Sequence, residues 1–133
     1  MNRIAWGLGC FLCSLLVGCD NFTDPEVCTL AGCSSGLEIV LENPPDVPYV
    51  LEASAQPDGS EHVFECSDAS GCTDRVFIKN FTPLRVYVEV ITEAGTDRFE
   101  VVPTYQEFRP NGPRCPPLCR RAIVHLPSDL PGG

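Results

Sequence analysis

Hydrophobic and polar residues alternate with a period of two through the middle of the chain. The clearest stretch is 84–91, in which Leu84, Val86, Val88 and Val90 alternate with mostly polar neighbours. Successive side chains of a strand point to opposite faces, so this period predicts half-buried β-strands. The other stretches with this pattern start near Leu37, Tyr49, His62, Arg75, Asp97 and Arg121. Turns rich in proline, glycine, asparagine and aspartate separate them, and none has the 3.6-residue period of an amphipathic helix.

Seven short strands at regular spacing predict an all-β fold, a small antiparallel β-sandwich over residues 36–126 pinned by local disulfides. Residues 127–133 then form a flexible tail. The pattern resembles immunoglobulin-like and transthyretin-like β-sandwich domains. It departs from true immunoglobulin domains, because the only tryptophan is Trp6 and no cysteine pair has the inter-sheet spacing. The resemblance implies an architecture and carries no function by itself.

The N-terminus has the composition of an export signal. Arg3 precedes an apolar stretch at 4–17, which is shorter than the roughly 20 residues of a membrane-spanning helix. This stretch ends in Leu16, Val17, Gly18 and Cys19, which resemble the lipobox of bacterial lipoprotein precursors.

The lipobox resemblance implies cleavage between Gly18 and Cys19, with acyl groups added to Cys19. Residues 1–18 are then a cleaved signal peptide, and residues 19–35 are the lipidated cysteine, a tether and a cysteine loop. We therefore expect a cell-envelope protein that is lipid-anchored to a bacterial membrane and faces the periplasm or the cell exterior. Asp20 resembles the inner-membrane retention signal of enteric bacteria, and the final membrane stays open.

The cysteines predict a disulfide framework. Two of the nine leave with the signal and Cys19 carries lipid, so six remain, an even number in an exported domain. Because they fall into three close pairs, we expect Cys28–Cys33, Cys66–Cys72 and Cys115–Cys119, with crossed partners as the open alternative. A zinc site is the competing interpretation, built from Cys28, Cys33, Cys115 and Cys119 with His62 or His125. An oxidising compartment favours disulfides, so we expect no metal and no cofactor.

The charge of the mature chain limits its partners. All 18 acidic residues but only eight of the nine basic residues follow Gly18, which leaves a net charge of −10. Such a chain is repelled by phosphate backbones, so we expect no nucleic acid partner. By the same reasoning, anionic lipid headgroups should not attract it. The simplest role of the charge is solubility.

The residues suggest no catalytic constellation. There is no Gly-x-Ser-x-Gly motif, and His62 and His125 fall on predicted strands. Glu61 and Glu65 could be proposed as an acid pair, but nothing places them at a catalytic separation. Residues 68–74 faintly resemble a calcium loop but fail its ligand spacing, and a disulfide-closed turn fits them better. We therefore expect a protein that is not an enzyme.

A rigid loop is the best interaction candidate. Four prolines and a disulfide are expected to fix the loop around residues 109–121, and rigid loops bind with a smaller loss of entropy. Its basic residues are Arg109, Arg114, Arg120 and Arg121. The expected function is a membrane-anchored envelope lipoprotein with a non-catalytic interaction module for protein or glycan. A passive structural component of the envelope is the alternative, and a metal-binding protein or enzyme is less well supported.

The intact mass of protein extracted from membranes, alkylated without reduction, tests the anchor and the disulfides together. We expect the mass of residues 19–133 plus acyl groups, with six hydrogens missing and no alkylation. A mass that still includes residues 1–18, or one without acyl groups, would exclude the lipoprotein prediction. Alkylated cysteines would reopen the metal interpretation.

Overall fold

The computed structural model describes residues 28–68, 70 and 72–127. The predicted signal peptide, Cys19, the tether at 20–27 and residues 128–133 of the predicted tail lie outside the described residues. No helix in the described part of the chain is long and apolar enough to cross a bilayer. The described residues form eight strands: β1 (Gly36–Leu41), β2 (Tyr49–Gln56), β3 (Glu61–Cys66), β4 (Arg75–Lys79), β5 (Arg85–Thr92), β6 (Gly95–Val101), β7 (Gln106–Phe108) and β8 (Cys119–Leu126).

The strands form two four-stranded sheets, which confirms the all-β prediction. One sheet has the order β4-β1-β8-β7 and the other has the order β3-β2-β5-β6. The pairing of β1 with β8 is parallel, and the other described pairings are antiparallel. The sequence predicted seven strands, and β7 is the eighth. With only three residues, all exposed, β7 has no alternation to reveal it.

The core lies between the inward faces of the two sheets. Leu37, Ile39 and Leu41 of β1 are fully or almost fully buried beside the paired side chains of β8. Val86, Val88 and Val90 of β5 face them from the other sheet and are fully buried. The period of two therefore identified these core positions correctly. The prediction of a buried strand position is wrong for Leu84, which lies before β5 and is 75% exposed.

The sandwich has two chemically different ends. At one end β1 and β8 begin and β4 finishes, and Ser35 accepts a backbone hydrogen bond there from Asn80. We name it the stapled end; it contains residues 28–35, 57–60, 80–84, 102–105 and 109–118 together with the adjoining strand ends. The far end contains residues 42–48, 67–68, 70, 72–74 and 93–94. Tyr49 donates a hydrogen bond to the carbonyl of Thr73 there, at 3.3 Å.

Two of the three predicted disulfide pairings are wrong. Cys66 is bonded to Cys72 as expected. Cys28 is bonded to Cys115 and Cys33 to Cys119, with sequence separations of 87 and 86. The two long-range bonds cross in sequence, and they join residues 28–33 to residues 115–119 at the stapled end.

The crossed pairing follows from the parallel arrangement of β1 and β8. Gly36 pairs with Arg121, which is 85 positions further along the chain, and the same offset continues to the end of β1. The disulfide separations differ from this offset by only one or two residues. The two segments before β1 and β8 thus run side by side in the direction of their strands. The disulfides extend the parallel register beyond its last backbone hydrogen bond.

Removing the crossed disulfides should have a non-additive effect on stability. The first one closes a loop of almost ninety residues and contributes roughly 4–5 kcal/mol through loop-closure entropy. Once it has formed, the second closes only the short segments 28–33 and 115–119 and contributes roughly 2–3 kcal/mol. Cys28→Ala/Cys115→Ala and Cys33→Ala/Cys119→Ala should therefore each lower the free energy of unfolding by roughly 2–3 kcal/mol, and all four changes together by roughly 7 kcal/mol.

Urea denaturation of the three variants measures these differences. The control is Cys66→Ala/Cys72→Ala, which opens a loop of sequence separation 6. Its effect should add to that of either crossed pair, because its loop is separate. A fourfold variant whose loss equals the sum of the two pairs would contradict the shared-loop interpretation.

Candidate interaction site

The structure separates the four arginines that the sequence grouped into one loop. Arg109 and Arg114 lie in the loop 109–118, whereas Arg120 and Arg121 belong to β8. Adjacent residues of a strand point to opposite faces, so Arg120 and Arg121 diverge. The predicted single basic loop is therefore wrong in its extent, because β8 begins at Cys119, two residues before the predicted strand.

Asn111 fixes the loop 109–118 to the segment before β1. Its side-chain oxygen accepts hydrogen bonds from the Thr29 hydroxyl and from the backbone N–H of Ala31, the latter at 3.0 Å. Its amide donates to the carbonyl of Ala31 at 2.9 Å and to that of Pro116 at 2.6 Å. No sequence pattern indicates the role of Asn111, since the crossed pairing brings together two segments that are 80 residues apart in the chain. With the two disulfides, these bonds make the loop part of a rigid unit.

Arg121 lies on the outer face of its sheet and packs on an aromatic ring. Its guanidinium carbon is 4.6 Å from the centroid of the Phe77 ring, within cation–π range. The ring reaches Arg121 because it lies across Gly36, the partner of Arg121 in β1. A Cβ atom at Gly36 would come within 2.8 Å of that ring and 2.3 Å of the Ile78 carbonyl oxygen. The missing side chain at position 36 therefore makes this contact possible.

A shallow groove adjoins the Phe77–Arg121 pair. It has a volume of about 540 Å³, and its lining includes Phe108, Arg121 and Ile123. Phe77, Phe108 and Ile123 are exposed, Ile123 by 54%. We name this surface the Phe77 face and define it by Phe77, Phe108, Arg121 and Ile123. Its side chains lie on strands, so their positions are set by the sheet rather than by a loop.

Arg120 has different partners on the other side of β8. Its side chain lies 5.4 Å from the Tyr105 ring centroid and 3.5 Å from a carboxylate oxygen of Glu107. Tyr105 donates a hydrogen bond to the carbonyl of Pro83 at 3.0 Å. Burial raises the pKa of Tyr105 to about 12, against the lowering effect of the Arg120 charge. The phenol therefore stays protonated at neutral pH and keeps this hydrogen bond between the segments that precede β5 and β7.

The structure places apart the histidines and the glutamate pair that the sequence analysis considered and did not propose as catalytic. His62 packs edge-on against Phe81, with 4.7 Å between ring centroids. His125 lies at the opposite end of the sandwich, 3.8 Å from a Glu42 carboxylate oxygen. Glu61 and Glu65 lie on one strand, four residues apart, which separates their Cα atoms by roughly 13 Å.

The metal interpretations find no support in the described residues. All four cysteines of the zinc alternative are in disulfides. In the calcium-like stretch, Asp68 accepts hydrogen bonds from the hydroxyl and the backbone N–H of Ser70, which lower the pKa of Asp68. That carboxylate closes a turn, and the Cys66–Cys72 disulfide closes the loop around it. The described part of the chain contains no group of three or more residues placed to hold a metal.

Comparisons with known proteins returned nothing for this chain. No family model, no curated protein and no solved structure matches it. The likeness to immunoglobulin-like or transthyretin-like domains therefore stays a prediction, while the two-sheet all-β architecture is established by the structure.

Substitution of Gly36 tests how the Phe77 face is built. We expect Gly36→Ala to lower the free energy of unfolding by about 1–3 kcal/mol, because the added methyl group must displace the ring or the backbone of β4. Urea denaturation measures the loss. The matched control is Gly32→Ala, since nothing lies within 4 Å of a Cβ at Gly32; its effect should stay within about 0.5 kcal/mol. Equal effects at the two glycines would show that the packing at Gly36 is unimportant.

Proposed function

We propose that the protein is a lipid-anchored lipoprotein of the bacterial cell envelope whose β-sandwich is a non-catalytic interaction module. The observation that carries the binding role is the Phe77 face. It presents exposed aromatic and aliphatic side chains beside an arginine on the outside of a net acidic domain. Outer sheet faces of a soluble domain are normally polar, and a clustered apolar patch with polar neighbours is typical of a binding surface.

The composition of the Phe77 face suits a protein or glycan partner. Aromatic residues and arginine are enriched among the residues that contribute most to binding. The Phe77 ring and the Arg121 guanidinium are already packed against each other, so less side-chain freedom is lost when a partner binds. The groove beside them supplies the concave shape that a loop or a sugar chain needs.

The location of the disulfides supports the anchoring role. Cys28 is nine residues after the proposed lipidated Cys19 and is bonded to Cys115 in the folded domain. The crossed disulfides therefore hold the start of the domain against its body, close to the proposed anchor. Disulfides persist in oxidising compartments, in agreement with an exported protein.

A passive structural role is the second candidate. The same crossed disulfides would suit a rigid spacer that holds its place in the envelope without a ligand. The two candidates differ in what they require of the Phe77 face, because a spacer does not need the arginine and the apolar side chains to be exposed together.

Site-specific photocrosslinking in the native bacterium separates the two candidates. A benzoylphenylalanine introduced at position 123 reports on the Phe77 face. The same residue at position 63 is the matched control, because Val63 is 51% exposed on the other sheet. We expect one discrete adduct at position 123 and none at position 63. Arg121→Glu, introduced beside the crosslinker, should remove most of that adduct.

The identity of the adduct decides the partner class. An adduct that protease digestion removes is a protein complex, and one that carries carbohydrate is a glycan complex. No discrete adduct at position 123, or the same adduct at both positions, would contradict the interaction module and favour the passive role.

A further inference from the structure

Most charged residues of the described chain lie near one of the two ends of the sandwich, whereas Glu38, Glu52, Glu89 and Arg98 lie in the middle of strands. The stapled end carries six basic residues: Lys79, Arg85, Arg109, Arg114, Arg120 and Arg121. It carries four acidic residues, Asp58, Glu61, Glu100 and Glu107, two of which are ion-paired with Arg85 and Arg120. Among the residues that the structure describes, the far end has seven acidic residues and one basic residue, Arg75; the acidic residues are Glu42, Asp46, Glu65, Asp68, Asp74, Glu93 and Asp97. A strongly acidic domain thus has one end with a net positive charge.

The most exposed aliphatic side chains are also concentrated at the stapled end. The three most exposed large hydrophobic residues of the described chain are Leu30, Leu84 and Val102, at 101%, 75% and 66%. All three lie at the stapled end, and so does the exposed Leu118. None of the exposed large hydrophobic residues described by the structure lies at the far end. Positive charge and apolar surface therefore coincide.

We infer that the stapled end is a docking surface for an anionic phospholipid bilayer and holds the domain upright on the membrane. The inference rests on the proposed lipid anchor at Cys19. Basic side chains attract anionic headgroups, and aliphatic side chains gain by entering the interfacial region, so both terms act at the same end. The acidic far end is repelled and points away from the surface.

The chain outside the described residues brings the bilayer within reach of this end. Residues 20–27 connect Cys19 to Cys28 and span at most about 30 Å when fully extended. Cys28 is fixed at the stapled end by its disulfide, so the anchor cannot move to the far end without drawing the chain along the domain. Such a tether keeps the local concentration of lipid high, and a weak attraction is then sufficient to orient the domain.

The net charge of the whole chain does not reveal the positive charge of the stapled end. The charge of −10 on the mature chain predicts no attraction to anionic headgroups, yet that value averages over the two ends. Screening limits electrostatic interactions to about 8–10 Å at physiological salt. Charges at the far end of an eight-residue strand lie roughly 25 Å away and have little influence on a headgroup at the stapled end. The predicted absence of attraction to anionic headgroups therefore applies to the far end only.

The sequence offers a clean reporter of orientation, because its only tryptophan is Trp6, in the proposed signal peptide. Leu84→Trp places the sole tryptophan of the mature protein at the stapled end, and Ala94→Trp places it at the exposed turn of the far end. Each lipidated variant is purified from membranes and reconstituted into phosphatidylcholine vesicles, with or without phosphatidylglycerol and with lipids that carry a headgroup-level spin-label quencher.

With phosphatidylglycerol present, we expect quenching of Leu84→Trp to exceed that of Ala94→Trp severalfold, and this difference to fall at high salt. In the Leu84→Trp background, Arg109→Glu/Arg114→Glu should remove most of the difference. Arg75→Glu/Arg98→Glu changes the net charge equally, away from the stapled end, and should leave the difference in place. If Arg109→Glu/Arg114→Glu folds poorly, a salt titration of Leu84→Trp without these charge reversals gives the same test.

Each other outcome overturns the inference. Equal quenching at positions 84 and 94 would show a domain that tumbles on its tether. Quenching of Leu84→Trp that is unaffected by phosphatidylglycerol and salt would exclude recognition of anionic lipid. A Leu84→Trp that stays unquenched in vesicles but is shielded on addition of envelope proteins would assign the stapled end to a protein partner. These results leave the anchor intact, whereas a purified protein without acyl groups would refute the proposed anchor itself.

Discussion

The parallel pairing of β1 with β8 is the constraint on which the rest of the structure depends. It joins the first and the last described strands, so the sheet that contains them can form only when almost the whole chain is present. The buried leucines and the isoleucine of β1 find their partners on β8 through this register. The same register, continued past the strands, brings Cys28 to Cys115 and Cys33 to Cys119. Core packing, disulfide pairing and the placement of the loop 109–118 are thus consequences of one strand pairing.

The Phe77 face also derives from this pairing. Gly36 and Arg121 are opposite each other only in the parallel register, and the ring of Phe77 uses the space above Gly36 to reach the guanidinium. The stapled end and the Phe77 face are therefore neighbouring surfaces built on the starts of the same two strands. The stapled end adjoins the proposed membrane anchor, and the Phe77 face lies along the side of the sandwich. Arg121 belongs to both, so the two proposed surfaces meet at this residue.

The sequence predicted features that depend on local pattern and missed those that depend on distant contacts. Alternation identified Leu37, Ile39, Val86 and Val88 as core residues, because burial on one face imposes a period of two wherever the strand lies. Alternation does not indicate which strands are neighbours in a sheet. The pairing of Cys28 with Cys115 and the role of Asn111 depend on which strands are neighbours, so alternation could not predict them. Arg120 was assigned to the loop because the strand pattern is recognisable only from Arg121 onward, whereas β8 begins at Cys119.

The crossed disulfides also determine how the domain would respond to mechanical force. A force applied through the proposed membrane tether at Cys28 is transmitted through the bond to Cys115, and through the bond from Cys33 to Cys119, before it reaches the hydrogen bonds of β1. The load is thereby shared by the first and last strands from the outset. While both bonds are intact, the start of β1 cannot be peeled away from the start of β8.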